Sequence, residues 1–316
     1  MTKKNLIPLY GILFSMVLFL SSCVSDDSDG SDDIPFTADI FQSTVGKKVA
    51  FQGLTNNATS YLWDFGDGTT SSEKNPVHNY GAAGYYETKF TATSADGSTI
   101  TKEMRIGIEI TPYVLLTGGP LAENGKTWRI SSTHSANDYF ANSDAGLTAF
   151  DGAPKPLPSG IFGGGLGLVE VYQDEFTFRY DGGYSMDLKD GAAFSGLVYQ
   201  FLTTGGAGIK NPSTNQDFGL CTGFFTPEAD ATFSFEEGVD LTIGSVYGPG
   251  GTLTYNGVNM LSFSGTMFFG LLDYERRVIV QDLKENTMRV VMFLSGSPDY
   301  VPLSTNGVVL TFEAVE

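Results

Sequence analysis

From about residue 35 onward, apolar and polar residues alternate in short runs. "YETKFTATS" (86–94) and "ITKEMRIGI" (100–108) repeat with period two, the pattern of strands with one face buried. The clusters "GDG", "KNP", "GAAG" and "ADG" between residues 66 and 97 separate them as turns. Beyond residue 113 the same rhythm returns in "KTWRISS", "EFTFRY", "YSMDL", "TFSFEE", "VDLTIG", "GTLTY", "MLSFSG", "RRVIVQDL", "TMRVVMFL" and "GVVLTFEAV". No stretch shows a convincing amphipathic helix. The pattern predicts an all-β chain of two units: a small sandwich over residues 35–112 and a larger two-sheet, jelly-roll-like sandwich over 113–316.

The start of the chain breaks this rhythm. Lys3 and Lys4 precede an apolar run from Leu9 to Leu20, and "LSSC" ends it at Cys23. That run is too short to span a membrane, which takes roughly 20 residues. Residues 1–22 therefore read as a secretory signal. Small residues before a cysteine match the lipobox pattern, in which Cys23 is lipidated and becomes the new N-terminus. Five aspartates follow by Asp33, so residues 23–34 are expected to form an extended acidic tether. An acidic run behind a lipidated cysteine resembles the export signal of Bacteroidetes-type lipoproteins, which implies the outer membrane, facing the exterior.

Composition narrows the partners. Net charge is −18, so nucleic acid is excluded as a partner and an acidic polymer is repelled unless a local basic group or a cation intervenes. Gly (39), Phe (24) and Tyr (15) dominate while charged residues reach only 17%, which favours strands and tight turns over solvated helices. The two cysteines, Cys23 and Cys221, exclude a disulfide framework; Cys221 in "FGLCTGFF" reads as a small buried hydrophobe.

Within the first unit, Trp63-Asp64-Phe65-Gly66-Asp67-Gly68 is followed by Asn75-Pro76, His78 and Tyr80, and then by Gly84-Tyr85-Tyr86. This series resembles the PKD domain, an immunoglobulin-like sandwich. Trp63 and Phe65 are expected to fill the core and Tyr80 to pack at a strand start. Asp64 and Asp67 are expected to bracket a tight turn in which Gly66 and Gly68 adopt positive φ. The motif is specific for fold and weak for function, and such domains usually act as spacers or adhesive modules.

In the second unit, "LLTGG" with "GKTWRIS", "VYQDEFTF", and "NMLSFSGTMFFGLLDYERRVIVQDLKENTMRVVM" resemble the C-terminal domain of PKD-containing surface lipoproteins of polysaccharide-utilisation systems. The resemblance implies non-catalytic polysaccharide binding beside a glycan transporter complex, on a sandwich like those of family 16 glycoside hydrolases. No organic cofactor is implied; a structural calcium held by acidic loops is plausible, without EF-hand spacing. The three-acid catalytic strand of family 16 is not matched: of Glu170, Asp174 and Glu175, the first two share a strand face and the third points away. His134 has no evident partner motif. The chain is thus expected not to be an enzyme, with a structural or adhesive lipoprotein and a divergent glycoside hydrolase as alternatives. Exposed aromatic rings suit sugar C–H faces and loops are where such rings are free. The long segment 132–168 offers Tyr139, Phe140, Phe150 and Phe162; the 202–230 loop offers Phe218, Phe224 and Phe225; "GTMFFGLLDYE" adds Phe269 and Tyr274.

Overall fold

The computed structural model describes residues 34–214 and 219–315. Cys23, residues 1–33 and Phe218 lie outside the described residues.

Strands β1 (Thr37–Val45), β2 (Lys48–Asn56), β3 (Ala58–Asp64), β4 (Thr70–Ser71), β5 (Val77–Asn79), β6 (Gly84–Ser94) and β7 (Thr99–Ile108) build the first sandwich. One sheet runs β1-β2-β5 and the other β4-β3-β6-β7, all antiparallel. Alternation decides which side chains face inward: on β6, Tyr86, Phe90 and Ala92 are buried, and Trp63, Phe51 and Ile106 meet them from neighbouring strands. Trp63 packs on Phe90 at 4.5 Å and on Phe51 at 4.9 Å between centroids.

The helix α1 (Pro112–Thr117) joins the units. "TPYVLLTGG" carries its own start and stop. Thr111 caps the N-terminus by accepting the Val114 N–H, Pro112 opens the first turn, and Gly118 closes it at φ 82°. The second unit contains β8 (Lys126–Ile130), β9 (Tyr139–Asn142), β10 (Glu175–Phe178), β11 (Tyr184–Asp187), β12 (Ala192–Gly196), α2 (Leu197–Thr204), β13 (Ile209–Pro212), β14 (Leu220–Phe224), β15 (Phe233–Gly244), β16 (Thr252–Phe263), β17 (Val278–Leu283), β18 (Thr287–Leu294) and β19 (Asn306–Ala314).

The expected sandwich is present in a curled form. A nine-stranded sheet runs β11-β10-β8-β19-β18-β17-β16-β15, with β9 also paired to β19, and a three-stranded sheet runs β12-β14-β13. Bridges from Gly183 to Thr232 and from Ser245 to Ser304 fold the ends of the large sheet back on themselves. Register shifts in the β15–β16 ribbon between Glu236, Val239 and Leu241 supply bulges that let it bend. The ribbon therefore serves two cores: Phe233 and Leu261 enter the main one, whereas Leu241, Ile243 and Tyr255 enter a second. Strand β18 lies between them. Met288, Val290, Met292 and Leu294 face the main core and Val291 and Phe293 the second, which is why "VVMFL" (290–294) reads as an unbroken apolar run.

Two features depart from the sequence reading. The helix α2 exists, although only Gln200 of its residues is buried, while Phe201 and Leu202 are exposed. Its apolar stripe of Leu197, Val198, Phe201 and Leu202 lines a surface groove and not the core, and the helix is only two turns long. Gly196 precedes it because a Cβ there would stand 1.9 Å from Asp273 Oδ2. The "TMFFGLLD" segment (266–273) is also no surface loop: Met267, Phe268, Phe269, Leu271 and Leu272 are buried inside the curled sheet. Tyr184 Oη donates to the Phe268 carbonyl at 2.6 Å, and Phe194 and Gly196 pair with Leu272, so the buried backbone finds partners. No described helix is long and apolar enough to cross a membrane.

Candidate functional site

The PKD-like motif is structural throughout. Asp64 Oδ1 accepts the Gly66 N–H at 2.9 Å, and Asp67 Oδ1 accepts the Thr69 N–H at 3.0 Å. Gly66 sits at φ 77°, and a Cβ there would meet the Glu87 carbonyl at 2.5 Å. His78 stacks on Phe65 (4.2 Å, interplanar 1°) and its Nε2 meets Asp67 Oδ2 at 2.7 Å. Burial pushes Asp67 up, but hydrogen bonds from Thr69 and His78 outweigh it and leave the carboxyl below its ordinary range. Asn75 Oδ1 accepts the Gly53 N–H, the Pro76 carbonyl accepts that of Phe51, and Gly68 completes the turn at φ 83°. Tyr80 Oη, buried, donates to the Phe65 carbonyl at 3.0 Å.

Several expected ligand-facing rings are core residues. Phe140, Phe162 and Phe269 are buried, Phe162 against Phe194 at 4.9 Å and Phe269 against Phe312 at 4.3 Å, so none offers a face to a sugar. The segment 132–168 is pinned, not free. His134 Nδ1 lies 3.1 Å from Asp138 Oδ2 and Nε2 lies 2.9 Å from Tyr172 Oη, both His134 and Asp138 side chains being fully buried. Asp138 also accepts the Thr311 N–H and hydroxyl, tying the segment to β19. Phe225 and Tyr274 are half-buried, packed edge-on to Phe268 (5.0 Å) and Tyr199 (5.1 Å). Tyr139 is half-buried, with its hydroxyl on the Leu147 carbonyl and Lys155 Nζ 3.8 Å over its ring. Phe150 and Phe224 are exposed, at 37% and 58%, as are Phe201 and Tyr247, which aromatic loop-searching did not single out.

A concavity of the second unit lies elsewhere, on the strands. A hollow of about 720 Å³ opens over β16, β17 and β18. Leu147, Tyr255 and Ile279 form its apolar floor, and Asn256, Asn259, Gln281 and Arg289 are its polar side chains besides Thr254. Tyr255 is fixed by donating to the Asp144 carbonyl at 3.2 Å. Asn259 Oδ1 accepts the Gly238 N–H at 3.1 Å, and Gln281 Oε1 accepts Arg289 Nε–H at 3.2 Å. The Gln281 bond fixes the Arg289 guanidinium through its Nε–H, whereas Asn259, paired with Val280 across β16 and β17, shares that residue's face and not that of Ile279. Tyr139 is close enough to feel the charge of Arg289. No Asp or Glu lines this surface.

The carboxylates weighed as catalytic are arranged differently. Asp174 is buried with Oδ1 unpartnered, and burial, then the charges of Asp190 and Glu170, push it up to about 7. Glu170 Oε1 accepts Asn211 Nδ2–H at 2.6 Å and the Thr222 hydroxyl at 3.2 Å. Glu175 is ion-paired to Lys189 at 2.8 Å. Among the described residues no group of three or more His, Cys, Asp or Glu is placed to hold a metal ion. Cys221 is buried, as its sequence context suggests.

Comparison with known proteins bears on the first unit. The PKD domain family matches residues 37–108. Collagenase ColA of Bacillus cereus is 34% identical over 82 residues, 26% of this chain and 8% of that protein. Microbial collagenase of Vibrio alginolyticus is 36% identical over 81 residues, 23% of this chain and 10% of that protein. The chain thus spans a tenth or less of these relatives. The PKD1 domain of the Vibrio cholerae metalloprotease PrtV is 33% identical, covering 24% of this chain and all of that one, with a TM-score of 0.23. A carbohydrate-binding module of the β-sandwich superfamily covers 89% of this chain and 92% of its own at 10% identity; its TM-score of 0.25 supports no argument about the ligand. Residues 37–108, with the motif geometry described above, are a PKD domain.

Proposed function

We propose that this chain is a lipid-anchored protein of the outer membrane, facing the exterior, which binds an extracellular polysaccharide without cleaving it and passes it to a neighbouring uptake and degradation system. The PKD domain serves as the spacer between the anchor and the binding domain. The observation that carries this reading is the strand-borne hollow of Asn256, Asn259, Gln281 and Arg289 over an apolar floor. Sugar hydroxyls and ring oxygens accept hydrogen bonds, and amide and guanidinium groups held on strands present donors without loop ordering. Surface tethering raises the effective concentration of the site, so modest affinity per site suffices.

The test is affinity electrophoresis through gels containing a panel of polysaccharides. Retardation by at least one, lost in an Asn259→Ala/Gln281→Ala variant of unchanged melting temperature, supports the reading. No retardation on any matrix removes it. Release of reducing ends from a retained polysaccharide favours a hydrolase using Asp174 and Glu170, whose environments differ. An adhesive role draws on a different surface: Leu197, Val198, Phe201 and Leu202 of α2 line an apolar groove of about 450 Å³ with Ile209 and Pro298. Cell adhesion lost in Phe201→Ser while glycan retardation persists would favour that second reading.

A further inference from the structure

We infer that the hollow over β16–β18 takes a carboxylate-bearing saccharide, a uronic acid unit, with Arg289 as the residue that reads the carboxylate. The inference rests on the glycan-binding reading above and deepens it.

The chain has 36 acidic against 18 basic residues, so an arbitrary surface should be rich in carboxylates. This hollow has none among its lining residues, and one arginine. Several other cations of the second unit are ion-paired, Arg129 with Glu313, Arg277 with Glu275, Lys189 with Glu175 and Lys210 with Asp190, while Arg179 and Arg276 donate to the neutral hydroxyls of Ser185 and Tyr199 and Lys155 lies over the Tyr139 ring. Among the described residues Arg289 has no carboxylate within ion-pair distance. Asp282, opposite it in the β17–β18 register, is paired to Lys284 at 2.9 Å instead. Asp240, behind the rim, accepts the Gly257 N–H at 2.9 Å.

Hydrogen-bond polarity points the same way. Gln281 Oε1 accepts from Arg289 Nε, which fixes the plane of the guanidinium; among the described residues its two terminal NH₂ groups have no hydrogen-bond partner. Arg289 occupies one lone pair of the Gln281 carbonyl oxygen, so the amide beside the guanidinium adds its NH₂ as a further donor. A site made of donors around a fixed planar fork suits a planar acceptor with two oxygens, which is a carboxylate. The apolar floor of Leu147, Tyr255 and Ile279 suits the C–H face of the same ring. The net negative charge of the chain does not oppose this at close range, because screening at physiological ionic strength acts over about 8 Å.

Polygalacturonate and its fully methyl-esterified form distinguish charge from backbone shape, since esterification removes only the anionic oxygens. Affinity electrophoresis on both, and on a neutral glucan, is run with EDTA to prevent cation bridging between acids. The expected result is retardation by polygalacturonate, weakened about 10- to 100-fold in Arg289→Ala, with little effect of the ester. Arg289→Lys should recover only part of it, because an ammonium cannot form the paired contact. Equal retardation by acid and ester, or unchanged binding in Arg289→Ala, overturns the assignment. Retention of the neutral glucan alone overturns the carboxylate and leaves glycan binding standing; no retention on any matrix overturns both.

Discussion

The two units of this chain treat polar groups in their interiors in opposite ways. In the PKD domain the buried side chains are apolar or tyrosine, apart from Thr88, which bonds the Phe65 carbonyl and Tyr80 Oη. The second unit buries Asp138, Asp174, Gln200 and Asp273 as well. Its orphaned atoms, Asp174 Oδ1, Gln200 Oε1, Ser213 Oγ, Asp273 Oδ2 and Ser295 Oγ, have no counterpart among the described residues of the PKD domain. The difference follows from architecture. Two flat facing sheets need only alternating strands, so every polar side chain can point out. A sheet curled around its own loops must enclose backbone and polar side chains with them, and each needs a partner or stays costly.

The comparison can be broken most severely at the cores. Trp63→Ala should cost about 3–5 kcal/mol and abolish the separate unfolding transition of the PKD domain, since so small a domain has little stability to lose. Phe269→Ala should destabilise the second unit by a similar amount and leave the PKD transition in place; calorimetry resolving the two transitions checks both.

Acidity separates the units next. Burial raises Asp174 and Asp273 to about 7, so between roughly pH 3.9, the unfolded value, and 7 the folded second unit binds more protons than the unfolded chain. Its stability therefore rises as pH falls through that window, by up to about 1.4 kcal/mol per pH unit for each group. Asp67 behaves oppositely: its lowered value makes the PKD domain lose stability as pH falls through the unfolded carboxylate range. Urea titrations from pH 8 to pH 4.5 should show the second unit gaining, and Asp273→Asn should flatten that gain.

Two smaller effects sharpen the picture. Tyr80→Phe should cost about 1 kcal/mol, because Thr88 Oγ1 still bonds the Phe65 carbonyl at 3.3 Å. At the contact between units, Arg105 pairs with Glu285 and lies 3.9 Å over the Tyr85 ring, and Lys126 Nζ donates to the Leu115 carbonyl at 2.8 Å. Arg105 is partly exposed, so Arg105→Ala should weaken coupling between the two transitions by under about 1 kcal/mol, and added salt should mimic it.

Much of the fold was readable because its causes are local. Asp64, Gly66, Asp67 and Gly68 make a turn by bonds within a few residues, β8, β10, β11, β15 and β16 announce themselves by alternation, and β17, β18 and β19 by the short apolar runs "VIV", "VVMFL" and "VVL". Strands β12 and β14 did not, since "AAFSG" is buried on both faces and "LCTGF" nearly so, leaving no period to detect. The aromatic search went astray for a related reason. Phe162 and Phe269 sit in segments rich in turn residues, yet those segments pass through the core, and exposure is a property of what surrounds a ring.

Period-two patterning, glycine placement and an acidic excess are local or compositional, so they dictate an all-β chain with a PKD domain and disfavour polyanion binding overall. The hollow is neither. Tyr255, Gln281 and Arg289 lie on three consecutive strands and meet only because β16, β17 and β18 pair in one register with a bulge between Val280 and Asp282. Side chains alternate faces along a strand, so a one-residue slip would turn Gln281 away from Arg289. That register is set by burial across both cores, which no local stretch of sequence contains.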